Sequence, residues 1–502
     1  LDLPLLDAGV YFDSTHYNAT TGVGNDIFIL KFDINANLLW ATYYGGEASD
    51  QPNDLNVDVF GNLYLVGQTF SEFFPLQDAT KFFDSNNASS ADAFILKFDN
   101  NGNRLWATFY GYNSGLEKAT AVVTDSLGYV FVTGSAQDAK PKTLAGAFNQ
   151  DSIAGQKDAF ILRFSPNTVL NWATFYGGTL NDDGKDIAID SDGNIIVVGY
   201  TNSTDFPLYD AGQGSYFDSI QSGGRDAFML KFNSSGVRIW STLFGGSGDE
   251  EARAVVCDSE RNIWVSGYTK SSDLDTLDAG LGGYYKSTIG GLSDSYLLKF
   301  NDSNIMQFST YIGGSAGESD NLIVATAVEK LVVDACDHVY FSYYTRSADC
   351  YTYDPGNGAY YKAVGACIDM ILNRLSNDGE ILWATYFGGS VGNFRGPIAV
   401  TPIDGSLWLG TEFAGYYSAS IVTAPLIDPG GGAVFDTNYN LTDNGVIARF
   451  GFDIESNLTS PLDVCTGDSS WVSPTGGITY TYLWSDSTMD TITLVDDGTH
   501  WI

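Results

Sequence analysis

One seven-residue segment recurs through most of the chain and constrains its fold more than any other feature. It begins with Asp or Asn, continues with alternating apolar residues and usually closes with a basic residue and Phe, as in DAFILKF at Asp92. Successive copies are 66 to 75 residues apart. A near-constant period of this length indicates a repeat architecture built from one supersecondary unit. The copies begin at Asp26, Asp92, Asp158, Asp226, Asp294, Asp369 and Asn444.

Each repeat contains four short strand signals separated by Gly, Asn and Asp turns. We label them A to D: A and B are the two apolar runs in DIAIDSDGNIIVVGYT (Asp186 to Thr201), C is the recurring segment, and D is a Trp-centred run such as RLWATFYG. A single four-stranded sheet cannot bury both faces, whereas radially stacked sheets cover one another. The sequence therefore predicts an all-β fold, a seven-bladed β-propeller over residues 1–452 with strand A innermost and the first blade incomplete.

The repeated Trp and Asp residues have structural interpretations. A Trp at one fixed place in each blade is suited to fill the wedge between twisted sheets, although a sugar-binding aromatic ladder is the functional alternative. The aspartates that open strand C could form a ring of metal ligands. We expect them instead to accept backbone N–H bonds in the turn before the strand.

The repeat ends after Phe452, and a different pattern follows. Residues 453–460 are predicted to be a linker. Residues 461–502 alternate polar and apolar residues around Trp484 and have a Gly before the last strand signal. This pattern is typical of an immunoglobulin-like or PKD-like β-sandwich, of which 461–502 would be only a part.

Charge narrows the choice of partners. The chain has 24 Lys and Arg against 61 Asp and Glu, a net charge of −37. Such a surface repels phosphate backbones, so we expect no nucleic-acid partner and no direct membrane insertion. Acidic clusters follow the Gly-Gly turns, as at Asn181–Asp183 and Gly248–Glu251. They predict a solvated acidic rim, with loosely bound Ca²⁺ as the alternative and no other cofactor.

No recognisable catalytic motif is present. The three histidines, His16, His338 and His500, are not spaced as metal ligands. No nucleophile elbow or phosphate-binding glycine loop occurs. We therefore expect no enzyme, no catalytic residues, no cofactor-binding residues and no metal site, although the many carboxylates leave a glycosidase pair open.

The five cysteines give one predicted disulfide. Cys350 and Cys367 lie in the same insertion and are expected to pair, whereas Cys257 and Cys336 are interpreted as partly buried thiols. Cys465 is left over, and a partner for it would lie beyond Ile502.

The repeat resembles the bacterial SBBP-type β-propeller repeat, in the form DAFILKFDNNGNRLWATFYG…DIAIDSDGNIIVVGYT…DFPL. The tail resembles the PKD-like or immunoglobulin-like repeats that follow such propellers in large surface proteins of gliding bacteria. The resemblance implies an extracellular or cell-surface location and export by type IX secretion. It also implies O-glycosylation at Asp-Ser/Thr-apolar tripeptides, here at Ser126, Ser219, Thr276 and Thr491.

The leading functional expectation is a secreted or cell-surface binding protein, such as a gliding-motility adhesin, whose partner is a surface polymer, glycan or protein. The long B–C loops favour this because loops on rigid scaffolds carry recognition. The alternatives are a propeller-based carbohydrate-active enzyme and a passive cargo or spacer module whose active part lies outside this chain. The predicted contact surface consists of loop tyrosines of the last two repeats, Tyr351, Tyr353, Tyr360, Tyr361, Tyr416 and Tyr417.

Overall fold

The fold is described by a computed structural model in which all regular secondary structure of the described residues is β-strand. This confirms the predicted all-β class. The structure describes residues 5–15, 25–33, 37–85, 90–111, 115–137, 148–280, 283–315, 330–356, 359–365, 369–387, 393–394, 398–400, 407–413, 444–450, 469–472, 480–484, 489–492 and 499–501.

A strand pair precedes the first complete sheet: β1 (Ile27–Asp33) is antiparallel to β2 (Leu38–Tyr44). Five antiparallel four-stranded sheets follow within the described residues, and we call them blades 1 to 5. Blade 1 comprises β3 (Asp50–Val57), β4 (Leu63–Thr69), β5 (Asp92–Phe98) and β6 (Arg104–Tyr110). Blade 2 comprises β7 (Glu117–Thr124), β8 (Val130–Ala136), β9 (Asp158–Phe164) and β10 (Leu170–Tyr176). Blade 3 comprises β11 (Asp182–Ile189), β12 (Ile195–Thr201), β13 (Asp226–Phe232) and β14 (Arg238–Phe244). Blade 4 comprises β15 (Glu250–Cys257), β16 (Ile263–Thr269), β17 (Asp294–Phe300) and β18 (Met306–Ile312). Blade 5 comprises β19 (Leu331–Val333), β20 (Val339–Thr345), β21 (Asp369–Leu375) and β22 (Ile381–Phe387).

The remaining strands form less regular groups. In the first group, β25 (Leu407–Phe413) pairs with β23 (Asn393–Phe394), β24 (Ile398–Val400) and β26 (Asn444–Phe450). In the second, β27 (Ser469–Val472), β28 (Tyr480–Trp484) and β29 (Met489–Ile492) form a three-stranded sheet. The last strand, β30 (Thr499–Trp501), pairs with the edge of β1. In each complete blade, strand B pairs with strand C. The count of seven blades and the immunoglobulin-like domain stay predictions.

The strand order in every blade is A-B-C-D, and strand A is innermost, as predicted. Hydrogen bonds join strand A of one blade to strand A of the next. Val122 N–H donates to Asp54 Oδ2 at 2.9 Å, and Val255 N–H donates to Asp186 Oδ2 at 2.9 Å. These bonds hold the inner strands of blades 1 and 2, and of blades 3 and 4, side by side.

Aromatic side chains fill the spaces between blades. The Trp of strand D packs against the Phe that ends strand C of the following blade, as in Trp106 against Phe164 with ring centroids 5.2 Å apart. Trp106 is fully buried, and its indole N–H donates to the Phe82 carbonyl at 2.8 Å. Blade 4 has Phe308 in this place, buried against Trp264. The tryptophans are therefore packing residues, which confirms the structural interpretation.

The aspartates that open strand C hold the preceding turn. Backbone N–H groups donate to Oδ2 of Asp158, Asp226 and Asp294 at 2.9, 2.9 and 2.7 Å. These three bonds confirm the predicted role. All three carboxyls are buried, and burial raises the pKa of Asp158 to about 6 and of Asp226 to about 7.

Candidate functional site

Strand A of blades 3 and 4 has a β-bulge near its start, and in both blades the bulged residue is a cation. Pairing of β11 with β12 passes from Gly184 directly to Asp186, and pairing of β15 with β16 passes from Ala252 to Ala254. Lys185 and Arg253 are the residues left out of the ladder. A bulge turns such a residue away from the sheet and is a recurrent way to aim a side chain at a site.

Glycine in strand B makes room for the bulge. A Cβ on Gly199 would lie 1.9 Å from the Asp183 carbonyl oxygen, and one on Gly267 would lie 1.9 Å from the Glu251 carbonyl oxygen. No real side chain fits at such a distance. The two glycines therefore allow the backbone of strand A to approach strand B where the bulge begins.

In blade 3, the bulge residue belongs to a group of four side chains that we call quartet 1: Lys157, Asp183, Lys185 and Tyr200. Asp183 Oδ2 lies 2.6 Å from Lys157 Nζ and 3.3 Å from Lys185 Nζ. Both ammonium groups lie over the Tyr200 ring, 5.5 and 5.1 Å from its centroid. Lys157 comes from the turn before strand C of blade 2, so the quartet joins two blades.

Blade 4 repeats this arrangement as quartet 2: Arg225, Glu251, Arg253 and Tyr268. Arg225 Nη1 and Arg253 Nε lie 3.1 Å from Glu251 Oε2 and Oε1, respectively. Both guanidinium groups lie near the Tyr268 ring, 5.9 and 5.1 Å from its centroid. Each quartet is thus one carboxylate held by two cations beside a tyrosine.

The two quartets are in contact. Lys185 Nζ is 3.6 Å from Glu251 Oε1, and the Arg225 guanidinium is 4.9 Å from the Tyr200 centroid. We call the cations of the two quartets, together with the nearby Lys118, the basic rim. The positive charge of Lys118 also acts on Asp183. The rim lies where strands A begin and strands C begin, which is the face that bears the B–C loops.

Ion pairing keeps the Asp183 carboxylate of quartet 1 charged. Burial alone would raise the pKa of Asp183, but Lys185 and Lys157 outweigh it and lower the pKa to about 2. Burial would lower the pKa of Lys185, but Asp183 and Glu251 raise it. Burial and the neighbouring Glu251 raise the pKa of Tyr268 to about 12, so its phenol stays protonated at neutral pH.

These contacts correct the predicted acidic rim. Asp182, Asp183, Glu250 and Glu251 belong to the two clusters that were expected to be solvated, yet all four residues are buried. Their carboxyl groups are compensated by cations or hydrogen bonds, and the groups that reach solvent at this place are the cations together with Asp249, which pairs with Lys270. The prediction was wrong because the compensating residues are distant in sequence, as with Lys157 and Asp183.

A second charged cluster lies at the centre, where the inner strands of blades 1, 3 and 5 meet. Lys330 Nζ, directly before β19, is 2.9 Å from Asp54 Oδ1 and 3.7 Å from Asp186 Oδ1. Burial lowers the pKa of Lys330, but the two carboxylates raise it overall. Burial raises the pKa of Asp186 to about 6 against the opposing effect of Lys330. A single ammonium thus links carboxylates from two non-adjacent blades.

One group of potential metal ligands occurs in the described residues: Asp334, Cys336 and His338 in the A–B turn of blade 5. Cys336 is half of a disulfide, so its sulfur is not a thiolate ligand. His338 Nδ1 is instead 2.9 Å from Asp334 Oδ2 and 3.0 Å from Arg374 Nη2. This turn is better described as a hydrogen-bonded cluster. The disulfide also corrects the interpretation of Cys336 as a thiol.

The predicted disulfide between Cys350 and Cys367 is wrong. Cys350 is a buried thiol, with Sγ 3.3 Å from Thr345 Oγ1. Its backbone N–H donates to the Tyr386 hydroxyl, which fixes the residue inside the blade 4–5 interface. Cys257 is a thiol, as predicted. Cys367 and Cys465 lie outside the described residues.

The four described contact tyrosines lie in the B–C loop of blade 5 and are not members of either quartet. Tyr360 packs edge-on against the aromatic ring of Phe387, and Tyr351 packs against Tyr284 at 5.2 Å. Tyr353 and Tyr361 keep 43% and 37% of their surface exposed. A contact role for these four stays a prediction. Tyr416 and Tyr417 lie outside the described residues.

The predicted glycosylation sites differ in accessibility. Ser126 is exposed at the tip of the A–B turn of blade 2, and Ser219 is exposed in the B–C loop of blade 3. Thr276 is half-buried, with its hydroxyl 3.2 Å from the Tyr285 hydroxyl. Thr491 lies in β29, whose side chains are outside the described residues. Modification stays a prediction at all four. In the parts of the chain that the structure describes, no helix is long and apolar enough to cross a membrane.

Comparison with known proteins identifies the repeat. Residues 171–207 match the SBBP family, described as "Beta-propeller repeat". The match covers part of one repeat, strand D of blade 2 and strands A and B of blade 3, and it agrees with the four-stranded sheets that resemble propeller blades. It contains Asp183, Lys185 and Tyr200 of quartet 1.

Two curated proteins are similar to parts of the chain. The uncharacterized WD repeat-containing protein L264 of Acanthamoeba polyphaga mimivirus is 21% identical over 379 residues, 65% of this chain and 27% of that protein. The regulatory protein FlaEY of Caulobacter vibrioides is 24% identical over 229 residues, 45% of this chain and 22% of that protein. The chain therefore spans about a quarter of the length of these relatives.

Three of the matched solved structures carry enzyme titles. The gluconolactonase XC5397 of Xanthomonas campestris shares 10% identity, with 60% of this chain and 71% of that chain covered and a TM-score of 0.28. A streptogramin B lyase shares 11% identity, with coverages of 76% and 94% and a TM-score of 0.28. The Hadza microbial sialidase Hz136 shares 10% identity, with coverages of 72% and 62% and a TM-score of 0.33.

These matches correct the expectation that the chain is not an enzyme. The solved structures that it resembles are named as enzymes, so similarity to known folds does not argue against catalysis. TM-scores of 0.28 to 0.33 transfer no particular activity from those proteins.

Proposed function

We propose that the chain is a carbohydrate-active β-propeller that binds its glycan at the basic rim. The observation that carries the proposal is the contact between quartets 1 and 2, which places cations beside two tyrosine rings on the loop-bearing face. Sugars are recognised by fixed hydrogen-bond donors and aromatic surfaces. This follows the carbohydrate-active alternative of the sequence analysis in preference to an adhesin.

The scaffold suits such a site. The cations emerge from β-bulges and from turns anchored by buried aspartates, so the blades hold their positions before any ligand binds. A preorganised site loses less conformational entropy on binding than one formed by mobile loops. The long B–C loops on the same face can then contribute further contacts.

The test is a panel of neutral and acidic polysaccharides assayed for cleavage and for retention of the protein. We expect the protein to cleave or bind at least one polysaccharide. This cleavage or binding should be lost in the Tyr200→Ala/Tyr268→Ala variant. The matched control is Tyr285→Ala, which removes a half-exposed tyrosine outside the quartets. If the folded protein neither cleaves nor binds any polysaccharide, the proposal is wrong.

The proposal includes a ring of seven blades. Strands β1 and β2 match positions C and D of one further blade, and β24, β25 and β26 match positions A, B and C of another. An extracellular surface location and type IX export belong to the same proposal and are supported only by the family resemblance. Protease accessibility of the protein on intact cells would test the location.

A further inference from the structure

Quartets 1 and 2 are equivalent positions of two neighbouring repeats, and blades 1 and 2 differ there; blade 5 shares only the tyrosine, Tyr344. The residue before strand C is Lys157 or Arg225 in the quartets. The bulged residue of strand A is Lys185 or Arg253, and the sixth residue of strand B is Tyr200 or Tyr268. In blades 1 and 2 the corresponding three residues are Asn25, Asn53 and Gln68, and Ala91, Thr120 and Ser135.

Packing does not require a cation at the bulge, because blades 1 and 2 form the same bulge with uncharged residues. Thr120 Oγ1 donates to the Gly184 carbonyl at 2.8 Å, and Asn53 Nδ2 donates to the Ala119 carbonyl at 2.7 Å. A small polar side chain therefore satisfies the fold at the bulge. The duplicated cations of blades 3 and 4 need another explanation.

The solvent-exposed charge of the quartets is positive. The side chains of the four cations are 18% to 31% exposed, whereas those of Asp183 and Glu251 are only 9% and 6% exposed. Each quartet has two cations for one carboxylate, and Lys118 adds a fifth cation. The adjacent pair of Lys270 and Asp249, 3.2 Å apart, is neutral as a unit.

The overall charge of −37 does not cancel this local excess. At physiological ionic strength, charges on the surface are screened beyond about 8 Å. An anionic group that reaches the quartets therefore interacts mainly with these five cations and the two carboxylates that they surround, a local excess of positive charge. Guanidinium groups also offer carboxylates and sulfates a planar pair of donors.

Resting on the proposed function, we propose that quartets 1 and 2 are consecutive subsites for an acidic polysaccharide. Each quartet holds one carboxylate or sulfate group, and its tyrosine contacts the sugar ring that carries that group. The spacing of the subsites is set by adjacent blades, so one chain of repeating acidic sugars engages both. The buried carboxylates hold the cations in position.

The test measures binding of the whole chain to polygalacturonate, dextran sulfate and uncharged dextran. We expect the two acidic polymers to bind and dextran to bind at least about tenfold more weakly, since charge-assisted hydrogen bonds are the stronger ones. Engagement of both subsites is expected to make the polymer bind about a hundredfold more tightly than monomeric galacturonate. Comparing the polymers shows whether carboxylate or sulfate is preferred.

The matched variants are Arg225→Gln/Arg253→Gln, which removes the cations of quartet 2, and Lys81→Gln, which removes an exposed cation outside both quartets. The first is expected to weaken binding of the acidic polymer about tenfold and the second to leave it within about twofold. If the double variant does not fold, wild-type binding of oligogalacturonates of increasing length replaces it. The affinity must then rise sharply once the oligomer spans two subsites.

The outcomes separate this inference from the proposed function. Equal binding of dextran and acidic polymers, or binding unchanged by Arg225→Gln/Arg253→Gln, would overturn the inference while leaving a glycan-binding propeller. Absence of an affinity step with oligomer length would also overturn it. Binding of single-stranded DNA as tight as that of polygalacturonate would show a general polyanion surface and reject the acidic-sugar assignment. Failure to bind or cleave any polysaccharide would refute both.

Discussion

Replacement of Lys330 by Met tests whether one cation holds the inner strands together. Its ammonium is 2.9 Å from Asp54 Oδ1 in blade 1 and 3.7 Å from Asp186 Oδ1 in blade 3. Lys330 itself precedes the inner strand of blade 5. The methionine side chain has a similar length, so Lys330→Met removes the charge without leaving a large cavity.

The structure sets the size of the expected effect. Removing one partner of a buried ion pair typically costs about 3–5 kcal/mol. The Lys330 side chain is 29% exposed, and both carboxylates retain backbone N–H donors, so we expect the lower end, about 3 kcal/mol. With an unfolding entropy near 2 cal/mol/K per residue, a propeller of this size should melt about 3 °C lower.

The loss should depend on pH. The folded pKa of Asp186 is already raised to about 6, and removing the cation leaves it facing Asp54, whose charge raises the pKa of Asp186 further. An acid whose folded pKa exceeds its unfolded pKa stabilises the fold at low pH, and this contribution disappears as pH rises through the folded pKa. Lys330→Met should therefore lose more stability near pH 8 than near pH 5.

Calorimetric melting temperatures of the wild type, Lys330→Met and Lys81→Met at both pH values provide the measurement. Lys81 is exposed, so its replacement should change the melting temperature by less than about 1 °C. The triple variant Lys330→Met/Asp54→Asn/Asp186→Asn removes the facing charges and should recover most of the loss. A loss in Lys330→Met that is equal at the two pH values, or no loss at all, would refute the electrostatic reasoning.

Three further predictions concern the packing and titration of the blades. Trp106→Ala should lower the free energy of unfolding by about 3–5 kcal/mol in chemical denaturation. Trp106→Phe should lower it clearly less, because blade 4 has Phe at this place. Equal losses in the two variants would argue against ring packing. Gly199→Ala should lower the melting temperature far more than Gly212→Ala. A Cβ at position 199 would lie 1.9 Å from a carbonyl oxygen, whereas Gly212 has open space around it and only a positive φ. Comparable melting temperatures of the two variants would contradict the bulge argument. Burial raises the pKa of Asp182 to about 6, so wild-type stability should fall as pH rises from about 4 to 7, and Asp182→Asn should flatten that fall in a melting series.

The repeat itself was predictable because it depends on neighbours that are near in sequence or occupy the same place in the next repeat. The Trp of strand D and the Phe that ends the following strand C meet at the interfaces of blades 1 and 2, blades 2 and 3, and blades 3 and 4. The carboxylate before strand C accepts an N–H from only four residues earlier, as Asp158 does from Ala154. One good copy of such an interaction predicts the others.

The charged sites were not predictable in this way. Asp183 and Glu251 occur in short acidic runs, and such runs usually indicate solvated surface. Their cations come from a turn 26 residues earlier and from a bulge, which strand alternation does not reveal. Lys330 and Asp54 are 276 residues apart in sequence, so only closure of the inner strands brings them together.

A signal for the quartets is nevertheless present in the sequence, in the differences between repeats. Residues that maintain a blade should be similar in all repeats, as the Trp of strand D and the Asp of strand C are. Residues that serve a ligand need to recur only where the ligand lies. Lys157, Asp183, Lys185 and Tyr200 correspond one by one to Arg225, Glu251, Arg253 and Tyr268, and this correspondence is confined to two adjacent repeats. Since neighbouring blades present equivalent residues side by side, agreement limited to neighbours favours one continuous surface and a ligand that extends along it.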